Sequence, residues 1–192
     1  MTSDQIKAVI TSYWRYVRQC PVIALEVNAN LGSYSGEEVA DVLAVGKNRY
    51  LIETEVKVTL ADLKRDARKK KHRGFREGRG SCVAHSFYFA VPKDIANSAK
   101  LLCDDLFPYA GILGTNGLDE YGVEIYRNPK PLAGKRLTYS QALRLIFGQS
   151  STVCRLAKRV EELLRVQKNL EAQLKEYRDL ERLDEIKKLQ EV

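Results

Sequence analysis

The alternation of side chains in LIETEVKV, residues 51–58, limits what this chain can fold into more than any other feature. Successive side chains of a strand point to opposite faces, so a strand here carries Glu53, Glu55 and Lys57 on one face. The opposite face receives four uncharged side chains: Ile52, Thr54, Val56 and Val58. Three charges on one face suit either a solvated edge of a sheet or a site that holds a metal ion.

Further strands and helices are predicted on both sides of this segment. VADVLAVG, residues 39–46, predicts a strand that forms an antiparallel hairpin with residues 49–58 through a tight turn at GKN. Two buried strands are predicted at residues 22–29 (VIALEVNA) and 85–92 (HSFYFAVP), and two short ones in AGILGTN and YGVEIYRN. Helices are predicted over residues 4–19, with Ser3 as the N-cap, 60–73 and 93–106. This order predicts an α/β fold with an αβββαβ core and a mixed central sheet.

The composition changes after residue 135. Residues 138–147 predict a short helix that Gly148 ends. No Gly or Pro occurs from residue 151 onward, and side chains at alternating spacings of three and four form one stripe, which is apolar except for one glutamine: Val153, Leu156, Val160, Leu163, Gln167, Leu170, Leu174 and Tyr177. This spacing is typical of a short coiled coil, and an arm that lies on a neighbour is the alternative. We predict a core domain over residues 1–135 and a helical extension over residues 136–192 that joins two copies into a homodimer.

The positive charge of the chain is concentrated directly after the charged strand. The net charge is +7, and residues 62–80 contain nine Lys or Arg residues against three acidic ones. A dense basic segment is typical of a partner that carries many phosphates, and a solvated basic loop is the alternative. The candidate DNA-binding residues are Lys64, Arg68, Lys69, Lys71 and Arg73.

The remaining composition favours a cytoplasmic protein. No apolar run approaches the ~20 residues that a membrane span needs, and no signal pattern is present at the N-terminus. Four cysteines are far apart and form no CxxC pair, which favours reduced thiols over a zinc or iron–sulfur site: Cys20, Cys82, Cys103 and Cys154.

The charged strand and its hairpin partner together offer the ligands of a magnesium site. Hydrolysis of a phosphodiester needs an activated water and a cation that stabilises charge on the phosphoryl oxygens. Mg²⁺ binds oxygen ligands and is usually held by one or two carboxylates plus waters. Glu55 and the backbone carbonyl of Val56 supply two such oxygens beside the ammonium of Lys57, and pairing of the hairpin brings in Asp41. The predicted metal ligands are therefore Asp41, Glu55 and Val56.

Several motifs occur in an order that resembles a known family. They are Glu26 in ALEVN, ADVLAV at residues 40–45, Glu55-Val56-Lys57, and the helix from Asp62 through Asp66 to Lys69. The series resembles the PD-(D/E)XK nuclease superfamily, and within it the small MmcB-like and VRR-type DNA repair branches. The likeness covers residues 5–128. Ala40 stands at the proline of the family's name, and Lys70 replaces an aromatic residue that often follows the helix lysine.

The resemblance implies a restriction-endonuclease-like core and a Mg²⁺-dependent DNA nuclease, with Mn²⁺ as a substitute. Asp41 and Glu55 would bind the metal, Lys57 would position or deprotonate the attacking water, and Glu26 matches an accessory acid. We expect a role in repair or recombination with weak sequence specificity, because the basic segment offers phosphate contacts rather than base contacts. Two alternatives stay open: a non-catalytic nucleic-acid-binding protein on a nuclease fold, and a coiled-coil interaction protein whose first domain is a scaffold.

Overall fold

The computed structural model describes residues 1–28, 39–77 and 84–190, and in these ranges the protein is α/β, with one mixed six-stranded sheet. The strands lie side by side in chain order: Val22–Asn28 (β1), Val39–Val45 (β2), Leu51–Val56 (β3), Ala84–Pro92 (β4), Gly111–Thr115 (β5) and Glu124–Arg127 (β6). The first three strands are antiparallel, β3, β4 and β5 run parallel, and β6 pairs antiparallel with β5. The predicted α/β class, mixed sheet and β2–β3 hairpin are confirmed.

Helices cover both faces of the sheet. In the described ranges they are Ser3–Ser12 (α1), Leu60–Asp66 (α2), Lys70–Glu77 (α3), Ala96–Leu106 (α4) and Tyr139–Gln190 (α5). The apolar side of α1 packs on one face, whereas α2, α3 and α4 pack on the other. Among the described residues, no helix is long and apolar enough to cross a membrane.

The alternation of side chains along the strands supplies a core on each face. On the α1 face, Trp14 is buried and its indole N–H donates to the hydroxyl of Thr54 at 3.1 Å. On the opposite face, Phe89 packs with Phe107 in an aromatic cluster. Phe89 pairs in register with Glu55, so the charged face of β3 is the one that α2 and α3 cover.

The helix predicted over residues 60–73 is two helices. Thr59 caps α2 as expected, but the backbone tightens after Asp66, where the N–H of Lys69 donates to the carbonyl of Asp66 at 2.9 Å. Such contacts between residues three apart interrupt the α-helical pattern, and α3 begins at Lys70. One continuous helix over residues 60–73 would place Lys64, Arg68 and Lys71 on the same face, as their spacing predicts. This prediction is wrong, because Lys64 lies on α2, Lys71 lies on α3 and Arg68 lies in the turn between them.

Three further predictions of helix ends were wrong. The helix predicted over residues 4–19 ends at Ser12, followed by a π-helical turn over Tyr13–Val17. Its N-cap is Thr2 rather than Ser3, because Thr2 and Gln5 form a reciprocal capping box. Gly148 does not end the predicted short helix, since α5 runs through it, and a glycine inside a helix costs only about 1 kcal/mol. The sequence LGSYSG also predicts a turn at residues 31–36, and these residues lie outside the described ranges.

The chain divides into two compact units, Met1–Gln149 and Ser150–Val192. The first unit includes the beginning of α5, where Leu145 is buried with Leu43 and Leu51 of the sheet. The predicted boundary at residue 135 therefore precedes the one that the contacts define, because Leu137 and Leu145 belong to the core of the first unit. The second unit is the rest of α5.

Candidate active site

The charged face of β3 is buried. Relative exposure is 1% for Glu53, 2% for Glu55 and 8% for Lys57. β3 lies between β2 and β4 and is not an edge strand, so the solvated-edge interpretation does not apply to it. Three buried charges need compensating partners, because an unpaired ion in a protein interior is costly.

Asp41 of β2 lies against the end of β3. Its Oδ2 accepts the backbone N–H of Val56 at 2.8 Å, and its Oδ1 is 3.5 Å from the Nζ of Lys7 on α1. Burial and then the charge of Glu55 raise the pKa of Asp41, which means that the two carboxylates repel each other. The structure thus places Asp41 beside the backbone of Val56 and near Glu55, the other two residues predicted to bind a metal.

Glu26 of β1 approaches Asp41 through a shared lysine. The Nζ of Lys7 is 2.9 Å from Glu26 Oε1, so one ammonium serves both carboxylates. Burial lowers the pKa of Lys7, but the hydrogen bond with Glu26 and the charge of Asp41 outweigh it and raise the pKa. Glu26 also has a φ of +51°, in the left-handed region that non-glycine residues rarely adopt. Strain of this kind is concentrated at functional sites.

Three lysines neutralise the acids on the buried face. Lys57 Nζ lies 2.5 Å from Asp66 Oδ1 and 3.4 Å from Glu55 Oε2. Lys69 bridges the same two acids, at 2.9 Å from Glu55 and 2.8 Å from Asp66. Lys71 bonds to Glu53 at 2.8 Å and also contacts Glu55 Oε1. Both oxygens of Glu55 are therefore held by ammonium groups, and these lower its pKa although burial alone would raise it.

Asp66 continues the network into the aromatic core. Its Oδ2 lies 2.7 Å from His72 Nε2, and His72 Nδ1 lies 2.6 Å from the hydroxyl of Tyr109. Burial lowers the pKa of His72, so the ring is neutral and can donate one N–H to Asp66 while it accepts the Tyr109 proton. Burial would raise the pKa of Asp66, but hydrogen bonds from His72 and Lys57 hold it far below its usual range.

The predicted DNA-binding residues separate into two groups. Lys64, Arg68 and Arg73 are exposed on α2, the following turn and α3. Lys69 and Lys71 point into the acidic cluster, with 37% and 10% of their side chains exposed. A role of all five as DNA contacts stays a prediction. The cysteines of the described ranges are free thiols, two buried and one exposed: Cys20, Cys103 and Cys154.

Sequence reasoning missed the partners of the predicted site. Lys7 was assigned no role, Asp66 was noted only as part of a helix motif, and Tyr109 was not considered. The one available signal was the excess of basic residues next to three charges on one strand face. That signal predicts a DNA-binding surface or a solvated basic loop, and it does not show that Lys69 and Lys71 pair with the buried acids.

The groups that could hold a magnesium ion are the carboxylates of Asp41 and Glu55 and the backbone carbonyl of Val56. Two carboxylates, a backbone carbonyl and waters satisfy an ion that uses few protein ligands. The raised pKa of Asp41 supports this fit, because a divalent cation near both carboxylates would relieve their repulsion. Within residues 1–28, 39–77 and 84–190, no group of three or more His, Cys, Asp or Glu side chains is gathered for a metal. An ion would therefore depend on these two acids, on Val56 and on solvent, and it would compete with the lysines that hold Glu55.

The comparisons with known proteins establish the fold and no more. The sequence matches no family model and no curated protein sequence. The structure is similar to that of SPO1766, a protein of unknown function from Silicibacter pomeroyi, with a TM-score of 0.54 and 18% identity, covering 84% of this chain and 92% of that chain. At this identity the similarity shows a shared fold. The likeness to PD-(D/E)XK nucleases stays a prediction.

Proposed function

We propose that this protein is a divalent-metal-dependent DNA nuclease with a restriction-endonuclease-like core, and that it acts in repair or recombination. One observation carries the proposal: the Asp41 carboxylate of β2 lies against Val56, the last residue of β3, which stands between Glu55 and Lys57 in the sequence. An acid from one strand and an acid-x-lysine from its neighbour thus meet at one place. Asp41 and Glu55 are two neighbouring acids that repel each other. Such a pair favours a site that binds a cation for phosphodiester hydrolysis over a purely structural ion pair.

Each residue of the site has a distinct role in this proposal. Asp41, Glu55 and the carbonyl of Val56 would hold Mg²⁺ or Mn²⁺, and the bound ion would stabilise charge on the phosphoryl group and activate water. Lys57 would position or deprotonate the attacking water from its place beside Glu55. Glu26 would support Asp41 through the ammonium that they share.

A second candidate is a nucleic-acid-binding protein that does not cut. The observation that favours it is the occupation of both Glu55 oxygens by lysines, which neutralises an acid that a metal would need. The two candidates predict the same DNA binding but differ in cleavage.

A cleavage assay separates them. Labelled single-stranded, duplex, flap, nicked and four-way DNAs are incubated with the full chain in Mg²⁺, Mn²⁺ or EDTA. The nuclease proposal expects metal-dependent cleavage that is lost in Lys57→Met and in Asp41→Asn. Lys100→Met and Asp105→Asn make the same substitutions at exposed positions of α4 and should cleave like the wild type. Binding without cleavage of any substrate would favour the second candidate.

The exposed basic residues of α2, the turn and α3 supply the proposed DNA surface. Lys64, Arg68 and Arg73 lie on the outside of the elements that cover the site. Phosphate contacts make affinity fall with salt, and each lost contact lowers the slope of log affinity against log salt by about 1. The triple change of these residues to Gln should reduce that slope for every DNA sequence, and an unchanged slope would exclude this surface.

The helical extension is proposed as a parallel two-stranded coiled coil with a second copy of the chain. Its apolar stripe is solvent-exposed in one chain, for example 48% at Leu156 and 55% at Leu170. Valines stand at the first two places of one core position of the heptad, and leucines stand at the first three places of the other, which Tyr177 completes. This choice favours parallel dimers. Gln167 occupies the same heptad position as the two valines, one heptad further along. A polar residue at this position pairs best with its own copy when the two helices are in register.

Sedimentation equilibrium of the full chain tests the dimer. We expect a dimer for the wild type and a monomer for Leu163→Glu combined with Leu170→Glu, because buried like charges would face each other. Lys168→Glu changes charge outside the stripe and should stay dimeric. A monomeric wild type, or a double variant that stays dimeric, would refute self-association through α5.

A further inference from the structure

Glu55 contacts more ammonium groups than its single negative charge needs. Three ammonium groups contact it: Lys57 at 3.4 Å, Lys69 at 2.9 Å, and Lys71 at its other oxygen. Lys57 has a shorter bond to Asp66, so that lysine is anchored independently of Glu55. Lys69 and Lys71 come from the turn before α3 and from its first turn, and they are the cations that occupy the Glu55 oxygens.

In the ion pairs described above, the charges of this cluster balance. Three acids face three lysines, while His72 is neutral: Glu53, Glu55 and Asp66 against Lys57, Lys69 and Lys71. A divalent cation bound by Glu55 and Asp41 would add two positive charges. Asp41, Glu26 and the Lys7 that they share carry one negative charge together, so one positive charge would stay uncompensated in a buried site. Like charges repel strongly where water is excluded, because the effective dielectric constant is low there. A cation can therefore enter only if ammonium groups leave Glu55 or if an anion enters with it.

Lys69 and Lys71 are able to leave. Each is a flexible side chain with an ammonium at its end, and 37% of the Lys69 side chain is exposed. Lys71 keeps a second carboxylate, Glu53, at 2.8 Å, and its ammonium lies 5.5 Å from the centre of the Phe87 ring. Neither lysine needs Glu55 to stay close to the site.

We propose that Lys69 and Lys71 are resident counter-ions of Glu55 that move to the substrate phosphate when a metal ion takes the carboxylate, so that metal and DNA bind as a coupled pair. This inference rests on the proposed nuclease site, because it assumes that Glu55 is a metal ligand. It assigns both lysines to phosphate binding at the reacting centre, unlike the exposed basic residues, which contact DNA outside the site. Coupling follows from the charges, since the phosphate compensates the cation and also attracts the displaced ammonium groups.

The test is a Mn²⁺ titration of the full chain, with free Mn²⁺ followed by electron paramagnetic resonance. It is run alone and with a short phosphorothioate duplex whose integrity is checked afterwards. We expect the duplex to tighten Mn²⁺ binding to the wild type by about tenfold, within the usual range of coupling between two sites. Lys71→Met, with one positive charge fewer, should bind Mn²⁺ about tenfold more tightly without DNA and gain less than about threefold from the duplex. Lys69→Met should change in the same direction, and Lys100→Met should match the wild type.

Two results would overturn the inference. One is a duplex that has no effect on Mn²⁺ binding to the wild type. The other is Mn²⁺ binding that is no tighter than in the wild type, in lysine variants that keep the native fluorescence of Trp14. The wild-type comparison requires no substitution, so it holds even if both variants unfold. A different result would refute the nuclease proposal. Coupled binding without cleavage of natural DNA would refute the nuclease and leave the coupling standing, whereas cleavage without coupling would do the reverse.

Discussion

Replacing Asp66 by Asn should destabilise the first unit more than any other single change of a charged group on α2. Asp66 is 3% exposed and accepts from Lys57 at 2.5 Å, Lys69 at 2.8 Å and His72 at 2.7 Å. Breaking a buried ion pair by removing one partner costs about 3–5 kcal/mol, because the other charge stays buried without compensation. Lys69 is partly solvated, so its share is small. We expect a loss of about 3–4 kcal/mol, a large part of the 5–15 kcal/mol that stabilises a typical domain.

Urea denaturation, followed by the fluorescence of the single buried tryptophan, Trp14, measures this loss. The matched control is Asp62→Asn on the same helix. Asp62 is 44% exposed and lies 3.5 Å from Arg65, which is itself 70% exposed, so its removal should cost about 1 kcal/mol or less. If Asp66→Asn unfolds within about 1 kcal/mol of that control, the cluster is not the buried ion network described above, and the reasoning is refuted.

Three further changes test other features. Acid should destabilise the protein: the pKa values of Asp66 and Glu55 are lowered by folding, so their contribution is complete above about pH 4 and is lost as pH falls below it. Urea midpoints at pH 7, 5 and 3 measure the loss, and Asp66→Asn should flatten it. Asp41→Asn should leave the unfolding free energy unchanged or raise it by up to about 1 kcal/mol, because folding raises the pKa of Asp41. A loss above about 2 kcal/mol, on the order of two buried hydrogen bonds, would contradict this. Gly148→Ala should raise the helix melting temperature, since a Cβ there meets nothing within 4 Å, whereas Gly111→Ala should cost about 1–3 kcal/mol because its Cβ would lie 2.5 Å from the Tyr88 ring. Circular dichroism compares the two glycine variants, and equal melting temperatures would contradict the packing at Gly111.

The predicted strands and the two faces of β3 follow from local pattern. Alternation along LIETEVKV determines which side chains share a face whatever the surroundings, because the period of a strand is two residues. The tight turn before β3 determines that β2 is its antiparallel neighbour, so Asp41 could be placed beside Glu55 and Val56 from the sequence. The heptad stripe of the extension has the same local origin, and it is visible before any tertiary contact is known.

The sequence by itself therefore determined which residues meet on β2 and β3, and the tertiary structure decided what compensates them. The helix after β3 breaks at Asp66, which turns Lys69 and Lys71 toward Glu55 instead of toward solvent. Local helix propensity does not predict that break, since residues 60–73 are compatible with one continuous helix. It is stabilised by ion pairs between residues 14 and 16 positions apart and by the bond of His72 to Tyr109, 37 positions away. Burial makes the difference: charges that are equivalent in water become selective partners once water is removed, and only the assembled fold shows which of them are buried together.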